Sequence, residues 1–255
     1  MRVQALHTDV VVATSRVYQT TCTLLRNADE AFVVDSVVLP DELELLPTVA
    51  AQAQFSVVGL LATHADWDHV LAPYAFGDGS LGVAESTAAR LRDSPGEAQR
   101  GLRAFDEEHY VVRPRPLALA GWQEVPAPGR CELGAGELEL IATSGHTADG
   151  MAIWVPWAKT LVAGDYLSPV EIPMVGHALD AYLDTLARLE PHVAAADWVV
   201  PGHGEPLDGE RALAILREDR AYLEALREHG ADAPLPLARR TAAQRRIHAA
   251  NVERI

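Results

Sequence analysis

Two cysteines, Cys22 and Cys131, are all that the 255 residues contain. That is too few for a disulfide framework or a four-cysteine zinc site, and the expectation is a pair of reduced thiols in a reducing compartment. Positive charge is scarce as well: 21 Lys and Arg stand against 36 Asp and Glu, and the net charge of −15 repels phosphate backbones. Neither nucleic acid nor a membrane is therefore an expected partner. No uncharged run reaches the length that spans a bilayer, and MRVQALHTDVVVATSR lacks an apolar region followed by a small-residue cleavage site, so a cytoplasmic protein is expected. An internal repeat of solenoid length and a low-complexity tract are both missing. Disorder is excluded by composition, because apolar and aromatic residues make up 49% of the chain, enough to bury a sizeable core.

What is present is a succession of strand-like runs ending in polar turns. VVVAT, TCTLLR and AFVVDS read as short strands, and LPDELELLPTVAAQAQ has the apolar spacing of an amphipathic helix. SVVGLLAT reads as a strand buried on both faces. Between residues 69 and 120 the pattern weakens to a helix after His69, a strand LGVAES, a helix STAARLRDS and a polar segment PGEAQRGLRAFDEEHY, and no chemistry is assigned there. The second half alternates again, through ELELIATSGHTADG, MAIWVPW, TLVAGDYLS and DWVVPGHGEP. A core over residues 1–207 is thus expected to be followed by a helical extension over 208–255, packed on or beside it, whose Arg and Glu face is solvated.

Chemistry concentrates at four strand ends. THADWDHV, residues 63 to 70, places His64, Asp66, Asp68 and His69 in one loop; His146 follows Ser-Gly, Asp165 follows Gly164, and His203 sits between Gly202 and Gly204. Imidazoles and carboxylates together suit zinc, iron or manganese, and adjacent glycines let the backbone approach a crowded site. Seven such residues suggest a two-metal centre. Histidines without motif context, His7, His109, His192, His229 and His248, are left unassigned.

The order THADWDH, SGHT, AGD and PGHG resembles the metallo-β-lactamase superfamily, with VVDS at 33 to 36 similar to its early strand ending in Asp. The resemblance implies an α/β fold, a four-layer αββα sandwich of two mixed β-sheets flanked by helices, with metal along one sheet edge. Carried over by position, it gives one ion His64, Asp66 and His146, the other Asp68, His69 and His203, with Asp165 as bridge. The chain departs from the family's HxHxDH at Asp66, where a histidine is usual. An anionic oxygen there makes the first ion's surroundings harder. Two divalent ions are expected, zinc by family, with iron or manganese favoured by Asp66.

The activity implied is hydrolysis, in which a metal-bound hydroxide attacks the carbonyl of a small-molecule ester, thioester, lactone or lactam, and Asp68 also accepts a proton as the tetrahedral intermediate collapses. The alternative is a non-haem iron oxidoreductase, persulfide-dioxygenase-like or flavin-coupled di-iron reductase-like, since such reductases also carry a carboxylate at the Asp66 position. No flavodoxin-like unit accompanies it here. Trp67, Tyr166 and His177 are candidate substrate contacts, with Glu171 and Met174 on the same rim, while Asp35 and Asp149 are expected to support ligands or, for Asp149, to cap a turn. A homo-oligomer is compatible with the sequence.

Overall fold

The first sheet contains β1 (Arg2–His7), β2 (Val10–Thr14), β3 (Thr21–Asn27), β4 (Glu30–Asp35), β5 (Val57–Leu61), β6 (Leu81–Ala84) and β7 (Trp122–Val125), side by side in chain order. These come from a computed structural model that describes residues 1–77, 80–119 and 121–255. From β1 to β4 neighbours are antiparallel; from β4 to β7 they are parallel, and each parallel step needs a crossover. The crossovers carry α1 (Pro40–Gln52), then α2 (Ala72–Phe76), then α3 (Glu85–Asp93) and α4 (Glu97–His109). Helix α1 starts with Pro40 and has Asp41 and Glu42 in its first turn, where fixed φ and negative charge suit a helix N-terminus.

The second sheet contains β8 (Gly129–Leu133), β9 (Gly136–Ala142), β10 (Met151–Val155), β11 (Thr160–Gly164), β12 (Trp198–Pro201) and β13 (Leu207–Asp208), in reverse spatial order from β13 to β8. Only β11 and β12 are parallel, joined through α5 (Leu179–Ala195). Two helices follow, α6 (Gly209–His229) and α7 (Ala242–Arg254). Each begins with a side-chain cap: Asp208 Oδ1 accepts from Arg211 N at 2.7 Å, and Thr241 Oγ1 from Gln244 N at 3.3 Å.

Period-two alternation sorts the strand residues into layers. Val11 and Ala13 of β2 face α1 and α4 with Leu43, Leu46 and Leu102, whereas Val10 and Val12 pack between the sheets against residues such as Leu140 and Ile153. On β11, Val162 joins that inter-sheet layer while Leu161 and Ala163 turn outward to α5 and α6. The result is two mixed sheets face to face with helices outside, the αββα sandwich. Ile215, Leu216 and Leu223 of α6 share one cluster with Leu186 and Leu189 of α5, so the outer layer runs continuously past residue 207. Among the described residues no helix is long and apolar enough to cross a membrane.

Two local expectations are corrected. Strand β5 is not buried on both faces along its length, because Val58 is 56% exposed and only Leu60 and Leu61 are buried. The ladder with β4 shifts register there, Ala31 standing opposite Val57 and Phe32 opposite Gly59, so Val58 is left out of the pairing as a bulge. The polar segment at 95–110 is helix α4, whose Ala98, Leu102 and Phe105 are buried at helical spacing beneath an otherwise charged surface.

Candidate metal centre

Five chain segments end at the same edge of the sandwich. Strand β4 delivers Asp35, the loop after β5 delivers His64 to His69, the turn after β9 delivers His146, and β11 and β12 deliver Asp165 and His203. Backbone hydrogen bonds stitch the edge together: Met151 N donates to Thr63 O at 2.8 Å, Thr21 N to Gly202 O at 2.8 Å, and Gly202 N to Gly164 O at 2.6 Å. Gly202 is required sterically, since a Cβ there would collide with Asp165 Oδ1 and press on His69 Cε1. Gly145 has φ +120° and lies against the Tyr182 backbone, so neither its conformation nor its space admits a side chain.

The seven side chains read from the motifs meet here. His64, Asp66 and His146 form one set whose donor atoms all lie within 4.8 Å of one another; Asp68, His69 and His203 form another; and His64, His69 and Asp165 form a third between them. Asp66 Oδ2 is 3.5 Å from His64 Nε2 and 3.4 Å from His146 Nε2. Asp68 Oδ2 is 3.7 Å from His69 Nε2 and 3.5 Å from His203 Nε2. Asp165 touches both halves, with Oδ2 3.2 Å from His146 Nε2 and 3.3 Å from His203 Nε2, and Oδ1 3.1 Å from His69 Nε2.

The outer nitrogens decide which way each imidazole presents its lone pair. His146 Nδ1 lies 3.2 Å from Met174 O and His203 Nδ1 3.0 Å from Tyr18 O, and a carbonyl can only accept, so both Nδ1 atoms carry the proton. His69 Nδ1 donates to Asp35 Oδ2 at 2.9 Å. For His64 the partner is Thr63 Oγ1 at 3.0 Å; that hydroxyl spends its own hydrogen on Asp35 Oδ2 at 2.8 Å, which leaves it as acceptor. All four Nε2 lone pairs therefore face inward. His64 Nε2, His69 Nε2, His146 Nε2 and Asp165 Oδ1 are buried and make no aligned hydrogen bond, the 3.1 Å approach of His69 to Asp165 included. Buried polar atoms left open in one small volume are what divalent cations would satisfy.

Electrostatics agree with a site built for positive charge. Burial opposes charging His146 and His203, yet Asp165, joined by Asp66 at His146 and by Glu171 and Asp68 at His203, outweighs it and pushes both up to about 10. His69 is driven well above its ordinary value against burial by Asp165, Asp68 and Asp35. Burial likewise opposes ionisation of Asp165, but His203, His69 and His146 hold it well below the usual carboxylate range.

Asp35 is buried at a left-handed φ of 58°, and it accepts from Thr63 N at 2.7 Å as well as from Thr63 Oγ1 and His69. Strained backbone at such a position is sustained by these three bonds. Asp149 does not cap its own turn with its side chain: Oδ2 accepts from Ala65 N at 3.0 Å, so it fixes the loop between His64 and Asp66. Of the rim candidates, Tyr166 is 3% exposed, and its hydroxyl accepts from His146 N at 3.3 Å, which makes it a support for His146 with no face to solvent. Trp67 is half-buried, stacked on Phe105 with centroids 4.8 Å apart, and docks α4 on the loop. His177 is exposed, its N donating to Gly145 O at 3.0 Å.

The loop from Ser168 to His177 is held from outside by the last helices. Gln244 Oε1 accepts from Ile172 N and Asn251 Oδ1 from Val175 N, both at 2.8 Å, while Asn251 Nδ2 donates to Pro173 O at 2.7 Å. Arg239 Nη1 donates to Glu171 O at 2.7 Å, and its buried guanidinium pairs with Asp219 at 2.6 Å. Sequence reading missed these contacts and Arg90, which donates to both Asp66 and Asp149. No local motif marks any of them.

Comparison with known proteins places this geometry. A solved metallo-beta-lactamase family protein from Thermus thermophilus superposes with TM-score 0.67 at 23% identity, covering 98% of this chain and 95% of that one. A beta-lactamase domain protein from Burkholderia ambifaria gives 0.66 at 21% identity, over 98% and 85%. Both show the fold. A curated relative, the beta-lactamase-like protein 2 homolog of Caenorhabditis elegans, is 25% identical over 190 residues, 72% of this chain, and the match spans 57% of that relative's length. The family model described as metallo-beta-lactamase superfamily matches residues 15–203, from the loop before β3 to the last centre histidine. By that match the chain belongs to the metallo-beta-lactamase superfamily.

Proposed function

We propose that the chain hydrolyses a small-molecule ester, thioester, lactone or lactam at two divalent cations. His64, Asp66 and His146 would hold one, Asp68, His69 and His203 the other, with Asp165 shared. The observation that carries this reading is the inward convergence of four imidazole lone pairs and three carboxylates in one buried volume. When bound, such a pair supplies a water acidified toward neutral pH and a Lewis acid for the substrate carbonyl.

The remaining work falls to the chain. Asp35, Thr63, Met174 and Tyr18 each hold a proton on an imidazole Nδ1, so Nε2 is the nitrogen left to a cation. Asp68, anchored at Oδ2 by Thr20 Oγ1 at 3.3 Å, would accept the hydroxyl proton of the tetrahedral intermediate as it collapses and pass it to the departing group. Asp66 has the most exposed side chain of the seven, at 29%, and marks the side from which substrate enters. No thiol competes as nucleophile: burial pushes both Cys22 and Cys131 up, away from the thiolate.

A second reading, iron-dependent redox chemistry, draws on one feature, the two imidazoles and one carboxylate of His64, His146 and Asp66. Elemental analysis of protein purified without added metal, combined with a panel of thioesters, lactones and β-lactams, separates the two. Two zinc or manganese ions with turnover of a panel member is the expected result. Tightly held iron without hydrolysis would favour the redox reading, and absence of metal would end both.

A further inference from the structure

Arg90 lies on α3, outside every motif, and its guanidinium reaches the centre from behind. Nη2 donates to Asp66 Oδ1 at 2.7 Å and to Glu97 Oε1 at 2.7 Å; Nη1 donates to Asp149 Oδ1 at 2.9 Å. Asp149 holds Ala65 N with its other oxygen, so one planar fork fixes the loop on both sides of Ala65. The side chain of Arg90 is 21% exposed, and that of Asp149 is 2% exposed, so this is not a solvent-screened surface pair.

The consequence is a division of labour within one carboxylate. Oδ1 of Asp66 is taken by Arg90, and Oδ2 is left facing His64 and His146. An untethered aspartate can swing and offer a cation both oxygens. A tethered one offers a single donor atom, the same number that an imidazole would offer at that position. The guanidinium also sets a positive charge against the negative charge that a carboxylate brings there.

We propose that Arg90 is the positioning residue of the half-site formed by His64, Asp66 and His146: it holds one oxygen of Asp66 so that the other alone meets the cation. This rests on the two-cation reading above. Through Asp66 it sets the affinity of one of the two ions and leaves the other untouched.

The test is stepwise titration of the metal-stripped full chain with cobalt(II), followed by visible absorption and calorimetry. Wild-type protein taking up fewer than two ions would overturn the two-cation reading itself. Given two steps, Arg90→Gln is expected to weaken one of them about tenfold or more and leave the other within about twofold, the size of effect seen when an outer partner of a ligand is removed. In an Asp66→Ala background the same substitution should have no further effect on that step. Arg90→Lys, which keeps the charge but loses the planar fork, is the second variant if Arg90→Gln does not fold, and its smaller loss must fall on the same step. The proposal is overturned if both steps weaken together, if neither weakens, or if Arg90→Gln costs as much without Asp66 as with it.

Discussion

The two halves of the centre use the same donor types and are backed by opposite charges. Behind His69 stands a carboxylate, Asp35, at 2.9 Å; behind Asp66 stands a guanidinium, Arg90, at 2.7 Å. An imidazole that donates to a carboxylate is a more basic ligand, whereas the guanidinium fixes which oxygen of Asp66 faces the cation without adding basicity. Burial runs the same way, since the Asp68 side chain is 10% exposed and that of Asp66 29%. The half made by Asp68, His69 and His203 should therefore grip its ion more tightly, and the half made by His64, Asp66 and His146 should exchange its ion more readily.

The severest way to break this comparison is to remove what both halves share. Asp165 approaches His69, His146 and His203 within 3.3 Å, so Asp165→Ala should cost both ions, by more than the ~100-fold typical of losing an outer partner. Metal content after dialysis reports it, and two ions retained at wild-type affinity would show that Asp165 bridges nothing. Asp35→Asn should be next, at about 10- to 100-fold. Asparagine has one acceptor oxygen and no charge, so His69 becomes a less basic ligand and the loss should fall on the tighter step, with a lesser share reaching His64 through Thr63. Equal loss at both steps in calorimetry would erase the asymmetry.

A smaller and more selective effect is expected from Asp66→His. A neutral nitrogen in place of an anionic oxygen should move the looser half toward zinc by about tenfold relative to manganese, the tighter half staying as it was. Competition between the two metals, read by elemental analysis, checks this. An unchanged ratio would place Asp66 outside the ligand set and remove the basis for treating the halves as different.

How much of this could be seen beforehand depends on the kind of signal. The layers were legible because strands such as β2 and β11 alternate between two apolar environments, and the meeting of the seven side chains was legible because they recur at strand ends. Arg90 was not, because it meets Asp66 across 24 residues from a helix with an ordinary charged face, and nothing local distinguishes it from Arg92 on the same helix. Helix α7 inverts the usual rule: its buried residues are Gln244 and Asn251, which satisfy the backbone of the 168–177 loop, so hydropathy points away from the contacts that matter. Exposure of Val58 was hidden for a related reason, since an apolar run does not say where its ladder will bulge.

The mildest prediction concerns pH, and it should treat the two halves alike. His146 stands in one half and His203 in the other, and without cations Asp165 and the neighbouring carboxylates push each up to about 10 against the opposing effect of burial. An unfolded histidine titrates near 6.5, so the folded state binds more protons between those values. The resulting stabilisation is complete below about pH 6.5 and is lost as pH rises through 10. Metal-stripped protein should accordingly melt at a lower temperature at pH 9.5 than at pH 6.5, each kcal/mol lost being worth about 2–4 °C in a chain of this size. Bound cations displace those protons, so the loaded protein should lose this part of its pH dependence. Scanning calorimetry of both forms decides it: a stripped protein whose melting temperature holds steady or climbs across that range would show that the imidazoles of the two halves do not face the carboxylates as their distances require.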